Sequence, residues 1–155
     1  MRSVGSSEAC WHIFGFPIHD RFPSVLALRV HLLDEQQIVF DEDAEIEALE
    51  TQRHTELIAF FDFNSKAQTQ GYSLEELPMY VEMPKKYRYD TKKKEWVLRK
   101  QKGSKVIGRV HSVHPAAGDK FFLRTLLHDA HCKGKTSFAD LLKLPNGRVC
   151  ETFNP

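Results

Sequence analysis

Between Tyr87 and Lys100 the chain has few ways to fold. Tyr87–Asp90 and Glu95–Lys100 are short runs on either side of a polar link, Thr91-Lys92-Lys93-Lys94. Aromatic and apolar residues at alternate positions suit a pleated strand, whose successive side chains point to opposite faces. A short polar link lets two such strands return antiparallel. The segment therefore predicts a β-hairpin with Tyr87, Tyr89, Trp96 and Leu98 as cross-strand partners.

The same hairpin gathers positive charge. Residues 85–105 hold ten bases against two acids, a local balance of +8. The rest of the chain holds 12 bases and 19 acids, so the whole carries only +1. Residues 34–56 supply nine of those acids against the single base Arg53. A near-neutral total alone would argue against a polyanionic partner, but the separation of signs removes that argument.

The remaining segments read as a mixture of strands and helices. Leu26, Leu28, Val30 and Leu32 alternate with Ala27, Arg29 and His31, the period of a strand. Ile38–Phe40 fits a second short strand, and residues 43–52 fit an acidic surface helix. Thr55-Glu56 can cap a helix or open a strand through Leu57–Phe63, and a helix is expected. Pro78 and Pro84 frame a short strand at Met79–Met83, and Val106–Val113 alternates well enough for another. Asp119 can cap a helix in which Phe122, Leu123, Leu126, Leu127 and Ala130 recur at helical spacing. Ser137 can cap a last short helix, and Asn146-Gly147 signals a turn. The order of elements predicts an α+β fold, mainly antiparallel strands with inserted helices and a helical C-terminal part; parallel βαβ alternation is not visible.

With 155 residues the chain suits one domain with a substantial core. It lacks the run of roughly 20 apolar residues that a spanning helix needs, and its first residues do not read as a signal peptide. Cys10, Cys132 and Cys150 are too few and too widely spaced for a disulfide framework, which fits a reducing compartment.

Several motifs invite a chemical reading. Gly134-Lys135-Thr136-Ser137 is like the end of a phosphate-binding loop, but that loop needs a further Gly where Asp129 stands. A loop followed by a helix cap explains the string better. His111, His114, His128, His131 and Cys132 suggest zinc, which takes four N or S ligands. Yet the spacing of His111 and His114 on a strand end sends them to opposite faces, and there is no CxxC. Tyr87, Tyr89 and Lys92 look like a tyrosine nucleophile motif, without the His-x-His metal ligands that chemistry requires. No catalytic site, metal or cofactor is assigned.

The basic hairpin is the strongest functional candidate. Lysine and arginine attract phosphates, and tyrosine and tryptophan can stack on unpaired bases. Tyr87 and Tyr89 share one strand face while Lys86, Arg88 and Asp90 share the other. Two readings stay open: a nucleic-acid surface, or aromatics entering the core beneath a solvated charged face.

Particular words in the sequence carry a resemblance. Residues 10–32, CWHIFGFPIHDRFPSVLALRVHL, are followed in order by AFF (59–61), MYVEMPKKYRYDTKKKEWVLRK (79–100), IGRVHSVHP (107–115), FFLRTLLH (121–128), KTSFADL (135–141) and NGRVCETF (146–153). This series resembles the segment of the Helitron transposon replicase-helicase between its rolling-circle nuclease and its Pif-type DNA helicase. His12 departs from the family's usual Arg or Lys, and Lys135 from its common Pro.

The resemblance implies a nuclear protein taking part in rolling-circle-like transposition. It also implies that this chain is a non-catalytic accessory module, not itself an enzyme, that positions DNA for an ATP-dependent helicase. A disordered tail over 1–9 and one domain over 10–153, cut short before the motor, are expected. The expected DNA-binding residues are Lys85, Lys86, Arg88, Lys92, Lys93, Lys94, Arg99 and Lys100, with Tyr87, Tyr89 and Trp96 as stacking platforms. The expected partner is single-stranded DNA, with the nuclease and helicase domains as neighbours and no membrane. The alternative is a docking module between those two domains that binds no DNA.

Overall fold

The computed structural model describes residues 23–35, 54–100 and 106–153, together with positions 5, 9, 12, 13 and 15. The expected strand at Ile38–Phe40 and the acidic helix at 43–52 lie outside these residues. The described elements are a mixed α+β set. They run β1 (Ser24–Leu28), α1 (Glu56–Thr69), α2 (Met83–Lys86), β2 (Tyr87–Asp90), β3 (Glu95–Leu98), β4 (Val106–Val110), α3 (Asp119–Leu126) and α4 (Phe138–Leu141). No helix among the described residues is long and apolar enough to cross a membrane.

Helix α1 is the centre of the packing. Leu57, Phe60, Phe61 and Asn64 recur at helical spacing and are buried. Thr55 caps the helix, its Oγ1 accepting the Ile58 N–H at 3.3 Å. At the other end Gly71 takes a φ of +83°. There the Gly71 N–H reaches the Gln68 carbonyl and the Tyr72 N–H reaches that of Ala67, closing the last turn.

Strands β2 and β3 form the expected hairpin, with Tyr87 opposite Leu98 and Tyr89 opposite Trp96. The second pairing corrects an expectation. Strands β1 and β4 run parallel, Ser24 beside Val106 through Leu28 beside Val110. A parallel pair needs a long crossover, and here the intervening chain with α1 and the hairpin supplies it. The period-two reading of β1 holds for its direction of burial, since Leu28 is fully buried while Val25 is exposed.

The strand expected at Met79–Met83 is also corrected. Tyr80–Glu82 is a 3₁₀ turn that runs into α2. Glu82 folds its carboxylate back onto the Met79 N–H at 3.2 Å. Pro84 sits in the first turn of α2, where its missing N–H costs nothing. Leu77, Tyr80 and Met83 are buried at a spacing of three rather than two, with Pro84 beside them. The Tyr80 hydroxyl then donates to the Arg29 carbonyl at 2.8 Å, tying this turn to the end of β1.

At α3 the cap is Gly118, with φ +61°, and Asp119 is the first helical residue, not the cap. Leu123 and Leu127 are fully buried as their spacing requires, but the helix ends at Leu126 and Ala130 opens a separate 3₁₀ turn. Ser137 does cap α4, accepting the Asp140 N–H at 3.1 Å.

Gly108 of β4 lets the 79–84 turn lie on the strand. A Cβ there would collide with the Val81 carbonyl oxygen and come within 3.0 Å of the Pro84 ring. Gly108→Ala is therefore expected to destabilise the fold by about 1–3 kcal/mol. An unchanged urea midpoint for that variant would show that the turn is not seated as described.

Candidate nucleic-acid interface

Two hydrogen bonds from aromatic side chains decide how the basic hairpin sits. Trp96 is 6% exposed, and its Nε1–H donates to the Glu56 carbonyl at 3.0 Å. The Tyr89 hydroxyl donates to the His54 carbonyl at 2.8 Å. The Tyr89 and Trp96 rings lie 5.8 Å apart, and Tyr87 meets Phe63 of α1 edge-on at 4.8 Å. The aromatic face of the hairpin is thus laid against α1, an arrangement that buries apolar area and satisfies the polar tips of Trp96 and Tyr89.

This geometry changes the role of the three aromatic residues expected to stack on bases. Trp96 is part of the core, so its faces are not presented to solvent. Tyr87 and Tyr89 are half-buried, and burial pushes both phenols above their ordinary range. The exposed aromatic near the hairpin is Tyr72, which is 54% exposed and close enough to Tyr87 to add to that upward push. The sequence reading missed it because it lies beyond the charged block, after Gly71.

The cations divide by what holds them. Lys85 pairs with Glu82 at 3.5 Å and Arg88 with Asp90 at 3.7 Å. Arg99 is structural at its Nε, which donates to the Pro84 and Tyr87 carbonyls at 2.9 and 3.0 Å. Lys86, Lys92, Lys93 and Lys100 are exposed and make no ion pair among the described residues.

Asp90 organises the turn that carries Lys92, Lys93 and Lys94. Its Oδ1 accepts the backbone N–H groups of Lys92 and Lys93 at 3.0 and 3.1 Å. Those two bonds hold the carboxyl below the usual carboxylate range, with Arg88 adding to them. Lys94 closes the turn with φ +54°, a left-handed conformation that a non-glycine residue adopts at a cost. Its N–H reaches the Asp90 carbonyl at 2.6 Å.

Between the turn and α1 lies a groove of about 690 Å³. Lys92, Lys93 and Lys94 line one wall, and Asp62, Phe63 and Lys66 of α1 the other. Lys66, which lay outside the charged block, bridges to Glu95 at 3.0 Å across the groove. His54 approaches Asp62 at 3.7 Å at the same rim.

The histidines and the cysteine that suggested zinc are used separately. The His128 Nδ1 meets the Arg124 carbonyl at 2.8 Å, and the His131 Nε2 meets the Leu141 carbonyl at 2.9 Å. The His114 Nδ1 accepts the Ala116 N–H at 3.1 Å. Among the described residues no three of His, Cys, Asp or Glu are gathered as metal ligands. Cys132 is fully buried, and burial pushes its thiol up to about 11.

Comparison with protein-family models gives no match, and comparison with curated proteins gives none either.

Two measurements test this arrangement. Lys94→Gly removes a side chain from a left-handed position, so it is expected to hold or raise hairpin stability, by up to about 1 kcal/mol. A fall in melting temperature would contradict the turn geometry. For Cys132, a thiol at about 11 is only roughly one part in a thousand ionised at pH 8. Peptide mapping after alkylation at pH 8 should find Cys132 unlabelled in the native protein and labelled after unfolding. Fast native labelling would show that its burial is wrong.

Proposed function

We propose that this chain is a non-catalytic DNA-binding module that positions single-stranded DNA for a Helitron-like DNA helicase in the nucleus. One observation carries the reading. Lys86, Lys92, Lys93 and Lys100 stand exposed, without ion pairs among the described residues, on a hairpin whose other face is anchored in the core. A rigid, cation-bearing hairpin gathers phosphates by releasing their counterions, a sequence-independent attraction. Lys85, Arg88 and Lys94 add to the field, and Arg99 supports the backbone beneath it. The helicase context comes from the ordered words of the sequence, which resemble the segment ahead of the family's motor.

A second reading, docking between a nuclease and a helicase domain, draws on a different face. Val25 and Ile107 are register partners on the outer side of the parallel pair, 61% and 45% exposed. Parallel pairs normally have both faces covered.

Fluorescence anisotropy with a labelled oligodeoxythymidylate, over a range of salt, separates the two. DNA binding predicts an affinity that falls with salt. Lys92→Glu with Lys93→Glu should weaken it and flatten the log–log slope by about 1.4, or 0.7 for each lost phosphate contact on a single strand. Equal affinity and equal slope in that variant would remove the hairpin from the interface. No binding by the parent chain at low salt would favour docking.

A further inference from the structure

The loop Lys133-Gly134-Lys135 has no part in the hairpin site, yet it is held as firmly. The Gln68 side-chain amide donates to the Gly134 carbonyl, and the Asn64 amide donates to that of Lys135 at 2.8 Å. Gly134 is buried with φ +69°, and a Cβ there would collide with Leu74. Two amides from α1 thus pin the backbone of a loop that carries a lysine on each side of its glycine.

The loop borders a second groove of about 460 Å³. Lys133, Lys135 and Lys143 line it together with Leu74, Leu144 and Pro145. Glu75 is the one acid in the lining. Asp140 stands behind it, 3.9 Å from the Lys135 Nζ and 3.6 Å from that of Lys143. Both distances exceed the roughly 2.7–2.9 Å of a charge-assisted hydrogen bond, so the ammonium donors keep capacity for another oxygen. Asp140 also accepts the Thr136 N–H at 3.2 Å, which fixes the carboxylate that keeps the two lysines together.

Helix α1 separates the two grooves. Asp62 and Lys66 line the first, while Asn64 and Gln68 hold the loop of the second. Residues two apart on a helix project about 160° from each other, across a body about 10 Å wide. The grooves therefore flank α1 on opposite sides.

We propose that the Lys133–Lys135–Lys143 groove is a second binding site for backbone phosphates, engaged by the same nucleic-acid strand that the hairpin holds. The proposal rests on the DNA-binding reading above and extends it. One strand reaches both sites only when it is long enough to pass α1. Longer oligonucleotides then gain affinity from the second site through its high effective concentration.

The test uses the full chain and two labelled oligodeoxythymidylates, one short enough for a single groove and one several times longer. Lys133→Glu with Lys143→Glu is expected to weaken binding of the long strand at least about tenfold at low salt and to flatten its salt slope by about 1.4. The short strand, held at the hairpin, should change by less than about threefold, since it releases no counterions at the second groove. Lys133→Gln with Lys143→Gln should give the same pattern at smaller size, and an unchanged melting temperature shows that the fold is intact. The proposal is overturned if the long strand binds the charge-reversed protein with unaltered affinity and slope while Lys92→Glu with Lys93→Glu still weakens it. If neither pair of substitutions alters binding, or the parent chain does not bind, the DNA-binding reading itself fails. An affinity independent of strand length, with displacement by inorganic phosphate at constant ionic strength, would instead mark a free-anion site.

Discussion

Helix α1 is tied to three distant stretches of chain: two send side chains to its N-terminal end, and its own side chains reach the backbone of the third. Trp96 and Tyr89 of the hairpin donate to the Glu56 and His54 carbonyls. His31, beyond β1, places its Nε2 2.7 Å from the Thr55 hydroxyl that caps the helix. At the far end Asn64 and Gln68 reach the 134–135 loop. A helix of 14 residues is marginal alone in water, so its stability comes from this packing rather than from propensity. The consequence for the hairpin is direct. Its aromatic face is committed to α1, and alternation along β2 then sends Arg88 to the outside, while Lys86, expected on the same strand face, is the last residue of α2.

That commitment also sets which cations count. In the pairs Lys85–Glu82 and Arg88–Asp90 the cations are exposed and the carboxylates partly so, and pairs near the surface are worth only a fraction of a kcal/mol up to about 1 kcal/mol. A phosphate can displace such a carboxylate at little cost, so pairing does not remove these residues from an anion-binding surface. Arg99 differs. Its Nε serves two buried-side carbonyls, and moving it would leave both without a donor. It belongs to the support of the hairpin more than to its charged face.

The legible parts of the sequence are those governed by local rules. The hairpin followed from alternation around a polar link, the α4 cap from Ser137, and the inward set of β1 from Leu26 and Leu28. Where two local signals competed, the weaker was chosen at Met79–Met83: flanking prolines suggested a strand, but Leu77, Tyr80 and Met83 at intervals of three already spelled a helical turn. Gly118 displaced Asp119 as a cap because only glycine takes its φ of +61° freely. The parallel pairing of β1 with β4 joins residues some eighty positions apart, and no local pattern encodes a contact of that range. The same holds for the candidate site. The lysines were visible as a block, but the direction of Trp96 and the reach of Lys66 to Glu95 depend on where α1 lies.

The character of the cations bears on what kind of anion they suit. The backbone beneath them is fixed, by Asp90 at the turn and by Asn64 and Gln68 at the second groove. Their side chains are nearly all lysine, a flexible stem with a point charge, whereas planar recognition of a base or of one phosphate geometry favours the arginine fork. Neither groove lining contains an arginine. Such a surface follows a phosphate backbone without reading its sequence. In the DNA-binding role proposed above, that property would let a strand be held in place and still slide.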